Sequence, residues 1–196
     1  MPVMHSFELT SDDKSQLLVL ARQSINHYLS EDRPLQVDAT DYSANLQQLA
    51  ASFVTLHLHE QLRGCIGALE AYQPLVTDVV EHARGAAFQD PRFNPISKTE
   101  TNDLEIEISV LTPSQQIEFQ QYEQLLEEIR PGTDGLIIQQ GFQKATFLPS
   151  VWEQLPDPRQ FLHHLMQKAG ILSPVDGELQ AWRYETLKFS EKELSV

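Results

Sequence analysis

Apolar positions recur along this chain with two different periods, and each period predicts its own kind of element. Leu17, Leu20, Ala21, Ile25 and Tyr28 return at helical spacing behind a Thr10 or Ser11 cap, with Asp12 and Asp13 set against the dipole of the first turn. The charged, Pro34-containing stretch Leu29 to Tyr42 reads as a loop, and a short helix is expected at Asn45 to Ala50. Phe53 to Leu58 and Leu62 to Leu69 alternate on either side of His59-Glu60-Gln61, which is the pattern of a hairpin. Pro74 then opens an amphipathic helix carried by Leu75, Val79, Val80, Ala83 and Ala87, and Asp90-Pro91-Arg92-Phe93-Asn94-Pro95 stops it.

Downstream, Leu104 to Leu111 alternates with Leu104, Ile106, Ile108 and Val110 on one face and Glu105, Glu107 and Ser109 on the other. A short helix at Tyr122 to Ile129 and the Pro131 to Gly135 turn lead to a second hairpin, Leu136 to Gln139 and Ala145 to Leu148. A helix at Pro158 to Ala169 closes at Gly170, and Ala181 to Phe189 alternates as one more strand. The order hairpin, helix, strand thus occurs twice, over about residues 51–111 and 134–189. This predicts an α+β fold: a single compact domain spanning 1–196, with a mixed barrel-like sheet built from two repeats and flanked by helices. A chance succession of similar elements is the alternative to an internal duplication.

Composition narrows the partners more than the chemistry. With 28 acidic against 14 basic residues the formal net charge is -14, so the field of the chain repels phosphate backbones and anionic lipid. Neither nucleic acid nor a membrane surface is expected as a partner. Cys65 is the only cysteine, which excludes an internal disulfide, a paired-cysteine redox motif and a multi-cysteine zinc site. The N-terminal residues carry no basic region followed by an apolar core, and no run approaches the length of a membrane helix, so a cytoplasmic location is expected.

The segment richest in chemistry is Leu62-Arg63-Gly64-Cys65-Ile66-Gly67. Strand alternation predicts that Arg63 and Cys65 project together, their Cα atoms roughly 6.6 Å apart. A guanidinium beside a thiol favours the ionised, nucleophilic form. Gly64 and Gly67 mark a place where a ligand or another backbone approaches closely. The plainer alternative is a small buried cysteine beside a bulge.

Asp90 and Arg92 in the proline-bounded loop can orient or grip an anionic group, or Asp90 can brace the loop while Phe93 fills the core. Glu105 and Glu107 share the polar face of their strand and can complement Arg63 or simply face water. His57 and His59 also share a face, but no third ligand at convincing spacing makes a metal site of them. No phosphate-cradling loop, dinucleotide fingerprint, zinc-protease or serine-hydrolase motif is present in the sequence, and no cofactor is implied.

Taken in order, Phe53-Val54-Thr55-Leu56, Leu62 to Gly67, Ala87 to Phe93 and Leu104 to Leu111 resemble the AMMECR-type domain family, whose prokaryotic members are called AmmeMemoRadiSam system protein A. The resemblance continues through Pro131-Gly132, Asp134-Gly135-Leu136, Phe147-Leu148-Pro149 and Lys168-Ala169-Gly170. It implies a compact α+β fold with duplicated units, and Memo-like and radical S-adenosylmethionine proteins as partners. A homodimer is compatible with the sequence. The chain itself has no three-cysteine motif of the radical enzymes.

By matching position, the resemblance marks Arg63, Gly64, Cys65, Ile66, Gly67, Asp90, Arg92 and Phe93. Three functional readings follow: a binding domain for a small molecule or partner protein at the Leu62 to Gly67 strand, an enzyme, and a structural interaction protein. In the enzyme, Cys65 is the nucleophile, Arg63 stabilises charge, and Asp90, Glu105 or Glu107 transfers protons.

Overall fold

The structure, a computed structural model, describes residues 8–175 and 177–194. The stretch read above for an export leader lies outside it up to residue 7. Helix α1 runs over Ser11–Glu31, three residues further than its apolar rhythm predicts, and stops at Asp32 in the left-handed conformation. Its start is a capping box: Thr10 accepts from the Asp13 N–H while the Asp13 carboxylate takes the Thr10 N–H. Asp13 is buried because it also accepts from Ser43 and Asn45, which ties the short helix α2 (Ala44–Gln47) to the entry of α1.

The remaining elements are β1 (Ala51–Leu58), β2 (Gln61–Gly67), α3 (Leu75–Phe88), β3 (Leu104–Leu111), β4 (Gln115–Ile117), α4 (Tyr122–Glu128), β5 (Gly135–Gln140), β6 (Gln143–Phe147), α5 (Pro158–Ala169), β7 (Gln180–Tyr184), β8 (Thr186–Ser190) and α6 (Glu191–Leu194). They gather into two compact units, Met1–Leu111 with Leu187–Val196, and Thr112–Thr186. The α+β class is as the sequence predicts. The single barrel-like sheet is not, because the strands form two separate four-stranded sheets ordered β2-β1-β3-β8 and β4-β7-β5-β6.

The predicted strand Ala181 to Phe189 is in fact two strands joined at Glu185. Ala181 packs into the apolar cluster of the second unit and Phe189 into that of the first, so one continuous strand cannot serve both. In chain order, β4 follows β3 yet pairs with β7, and β8 follows β7 yet neighbours β3. The second sheet is therefore continuous in the chain, β4 to β7, and the first is completed by β8, which follows it.

In the first unit Val54, Leu56, Ile106 and Ile108 are fully buried on the sheet face that packs with α1 and α3. Each such side chain stabilises the fold by roughly 1.5–3 kcal/mol. In the second unit Trp152 stacks on Phe161 of α5 with ring centroids 3.7 Å apart, and Asp157 and Gly170 cap that helix at its two ends. Among the described residues no helix is long and apolar enough to cross a membrane.

Candidate functional site

All ten residues singled out from the sequence fall in the first unit. They do not converge as the strand alternation predicts. Thr55 pairs with Cys65 and Leu56 with Gly64, but the register shifts between Leu56 and His57, and His57 pairs with Leu62. Arg63 is left as the extra residue of a bulge, and its guanidinium is committed elsewhere. Arg63 Nε donates to Glu100 Oε1 at 2.8 Å and Nη1 to the Asn94 carbonyl at 2.9 Å. The expected free guanidinium beside the thiol is replaced by an ion pair with the loop that follows α3.

The glycines have protein, not ligand, against them. A Cβ on Gly64 would fall 2.1 Å from the Ala86 carbonyl oxygen of α3, and one on Gly67 would fall 2.3 Å from the Phe53 ring. Ile66 turns to the same helix, its Cγ2 lying 3.1 Å from where a Gly85 Cβ would sit. The close approach predicted from the glycines is therefore that of β2 to α3, and of Phe53 to Gly67.

What the structure does unite is the Leu62 to Gly67 strand with the Asp90 loop. Because β2 is an edge strand, the Cys65 N–H lacks a strand partner, and Asp90 Oδ2 accepts it at 2.8 Å. The same carboxylate takes the Arg92 N–H and Nε at 3.0 Å each and Nη2 at 2.7 Å. Hydrogen bonds from the Arg92 guanidinium outweigh the desolvation that acts in the opposite sense. With the Cys65 and Arg92 N–H groups they hold the Asp90 carboxyl well below the usual carboxylate range. A buried carboxylate so occupied is a brace; it has no lone pair free to move a substrate proton.

Glu100 plays the matching part for Arg63. The Arg63 hydrogen bond, and then the Ser97 N–H and hydroxyl, bring its carboxyl down to about 2. Both guanidinium groups lie near the Phe93 ring, with Arg92 Cζ 5.5 Å and Arg63 Cζ 5.9 Å from its centroid. Phe93 is half-buried and outside the apolar core expected for it in the plainer reading.

The face of the sheet opposite α3 carries the remaining candidates in rows. Cys65 pairs with Thr55, and Thr55 with Glu107. Thr55 Oγ1 donates to Cys65 Sγ at 3.3 Å, and Lys188 of β8 reaches Glu107 at 2.9 Å. A polar row Cys65, Thr55, Glu107, Lys188 thus crosses all four strands. In the adjoining row Leu62, His57 and Glu105 stand opposite one another. Cys65, Thr55, His57, Glu105 and Glu107 are each half-buried. His59 lies apart, in the hairpin turn at φ 51°.

Three features were missed in the sequence. Thr55 was readable, since it alternates with Phe53 and His57. Lys188 was not, because its strand joins this sheet only through the crossing after Glu185. The third is a buried cluster behind the sheet, where the Asp78 carboxylate takes the Ser52 N–H at 2.9 Å and hydroxyl at 2.6 Å and lies 3.1 Å from His82 Nδ1. That cluster pins α3 to β1.

A cleft of about 730 Å³ lies in the same unit, between α1, the Thr101–Asn102 turn, Glu105 at the start of β3, and α6. Of the predicted residues only Glu105 lines it. Among the described residues no group of three or more histidine, cysteine or carboxylate side chains is placed to hold a metal ion.

Known proteins are similar to this chain over nearly its whole length. The sequence profile of the AMMECR1 family matches residues 18–189. A protein of Methanothermobacter thermautotrophicus is 34% identical over 186 residues, covering 93% of this chain and 96% of that one. Protein MJ0810 of Methanocaldococcus jannaschii is 34% identical over 192 residues, covering 94% and 93%. The crystal structure of the uncharacterised protein PH0010 from Pyrococcus horikoshii superposes with a TM-score of 0.74 at 32% identity, covering 92% of each chain.

Proposed function

This chain belongs to the AMMECR1 family, and we propose from that premise that it is a binding domain whose recognition surface is the sheet face around Cys65, Thr55 and Glu107. The observation that carries this reading is the strap on β2. Asp90 holds the Cys65 N–H, and Glu100 and Asn94 hold Arg63, so the backbone under Cys65 is fixed from its open edge. The side chain of Cys65 meanwhile stays half-exposed. Fixing the backbone while leaving a polar row accessible is what a recognition surface requires, since ordering costs are then met in folding and not on binding.

The ligand class is a small molecule or a segment of a partner protein, and the Memo-like and radical S-adenosylmethionine proteins implied by the family resemblance are the partners to test first. The experiment is native mass spectrometry of the protein purified from its own host, beside Cys65→Ser and Glu107→Gln. A bound mass or partner retained by the parent chain and lost from both variants supports the reading. Equal retention by all three ends it.

One observation favours a second reading, in which Cys65 acts as a nucleophile: its half-exposed sulfur accepts a hydrogen bond from the Thr55 hydroxyl, which orients it on the open face of the sheet. In this reading Glu107, beyond Thr55 in the same row, is the carboxylate available for proton transfer, and Asp90, filled by its four donors, takes no part. Iodoacetamide labelling over pH separates the two. A nucleophile labels in the folded protein faster than a model thiol at the same pH. A Cys65 that labels only in denaturant removes both readings.

A further inference from the structure

We propose that the cleft between α1 and α6 is a second binding site, one that takes a neutral polyhydroxylated small molecule such as a monosaccharide. Arg22 builds it. One guanidinium donates to Glu191 through Nε at 3.0 Å and again through Nη2, to the Thr101 carbonyl at 2.6 Å and to the Leu104 carbonyl at 2.7 Å. It therefore fastens α1 to α6, to the 101–102 turn and to the start of β3, and these are the walls of the cleft. The site is formed before any ligand arrives, and its volume of about 730 Å³ lies inside the range that holds small ligands.

The lining selects the ligand class. Arg22 and Glu191 neutralise one another, and Glu105 and Lys192 add one charge of each sign, so the cleft is neutral in a chain of net charge -14. Gln23, Asn26 and Asn102 present side-chain amides with no hydrogen-bond partner in the described protein. Each amide both donates and accepts, which is the complement of a hydroxyl group and is indifferent to pH. Val19, 41% exposed, offers an apolar contact for ring C–H groups. Among the described residues no aromatic side chain lines the cleft to supply the stacking that a nucleobase needs. An anionic ligand meets the repulsion of the whole chain.

The probes are glucose, ribose and myo-inositol, with glucose 6-phosphate and glucosamine as charged counterparts, followed by amide chemical-shift perturbation of the full chain. A neutral ligand of about a dozen heavy atoms binds with a Kd on the order of 1 mM. The expected result is saturable shifts at Gln23, Asn26 and Asn102 for at least one neutral probe. Gln23→Ala and Asn102→Ala, which remove no intramolecular hydrogen bond, each weaken that binding about tenfold. No saturable shift at these residues up to about 20 mM, equal or tighter binding of the charged counterparts, or binding unchanged in both variants overturns the proposal. Because neither variant touches the Cys65 face, the outcome is independent of the function proposed above.

Discussion

The carboxylate of Asp90 accepts the backbone N–H of Cys65 at 2.8 Å across 25 residues of sequence. One bond therefore makes the Asp90 loop and the Leu62 to Gly67 strand a single structural feature. Asp90 is 5% exposed and gathers four donors. Truncating this buried, fully bonded carboxylate removes its bonds to Cys65 and Arg92 and leaves an edge N–H without its partner, which costs about 2–3 kcal/mol. Asp90→Ala is expected to lower the unfolding free energy read from urea titration by that amount and Asp90→Asn by about half, with amide exchange at Cys65 accelerated in both. Unchanged exchange at Cys65 would show that the strap does not fix the strand.

Acid should loosen the same loop at its far end. Glu100, ordinarily near 4.5, is brought to about 2, first by the Arg63 hydrogen bond. A carboxyl whose folded value lies below its unfolded one contributes stability that is present above about 4.5 and lost as pH falls through about 2. The stability difference between the parent chain and Glu100→Gln is expected to be largest above pH 5 and to shrink steadily between pH 4.5 and pH 2. Urea midpoints at half-unit pH intervals measure this, and a difference that grows toward acid contradicts it.

Gly64 tests whether the signature glycines serve packing or ligand approach. A methyl at Gly64 would collide with backbone of α3, at 2.1 Å from the Ala86 oxygen, and backbone cannot rotate away as a side chain can. Gly64→Ala is expected to destabilise by about 2–3 kcal/mol through overpacking, with Gly67→Ala close behind because Ser52 O and the Phe53 ring both crowd it. Thermal midpoints decide the matter. A Gly64→Ala chain of parental stability would return the glycine to a ligand-binding role.

The elements were legible in the sequence wherever one face was buried, and the site was legible only in part. The alternation from Leu104 to Val110 matches its observed burial residue for residue, because one face of β3 meets helices and the other does not; Leu111, at the strand end, is buried out of phase. The same alternation failed at Arg63: the glycines of β2 allowed for a bulge, but its position is a property of the pairing with β1. The crossing at Glu185 failed to show for a related reason: Tyr184 and Phe189 are both buried, and periodicity records burial without recording in which cluster. Asp90, Arg92 and Arg63 were singled out from the sequence as site candidates. The Asp90–Arg92 pair lies two residues apart, within reach of a local reading, but the bond of Asp90 to Cys65 and those of Arg63 to Glu100 and Asn94 span 25, 37 and 31 residues, separations that no local pattern encodes.

The hairpin turn that sets the register of β1 and β2 is built from the wrong residues for its shape. Two residues, His59 and Glu60, join Leu58 to Gln61, and both have positive φ, 51° and 64°. That is the geometry of a type I′ turn, which favours Asn-Gly because a side chain in the left-handed region crowds its own backbone by roughly 1–2 kcal/mol. The Glu60 ion pair with Lys192 spans 3.8 Å between largely exposed groups and adds little against this. His59→Asn with Glu60→Gly is therefore expected to stabilise the chain by about 1–2 kcal/mol and to raise the thermal midpoint by about 2–8 °C. The register of the hairpin is unchanged in the double variant, so Cys65 should label with iodoacetamide at the parental rate. A lower midpoint would mean that the strained turn is held by something other than its own two residues, and a changed labelling rate would mean that the turn governs the accessibility of Cys65.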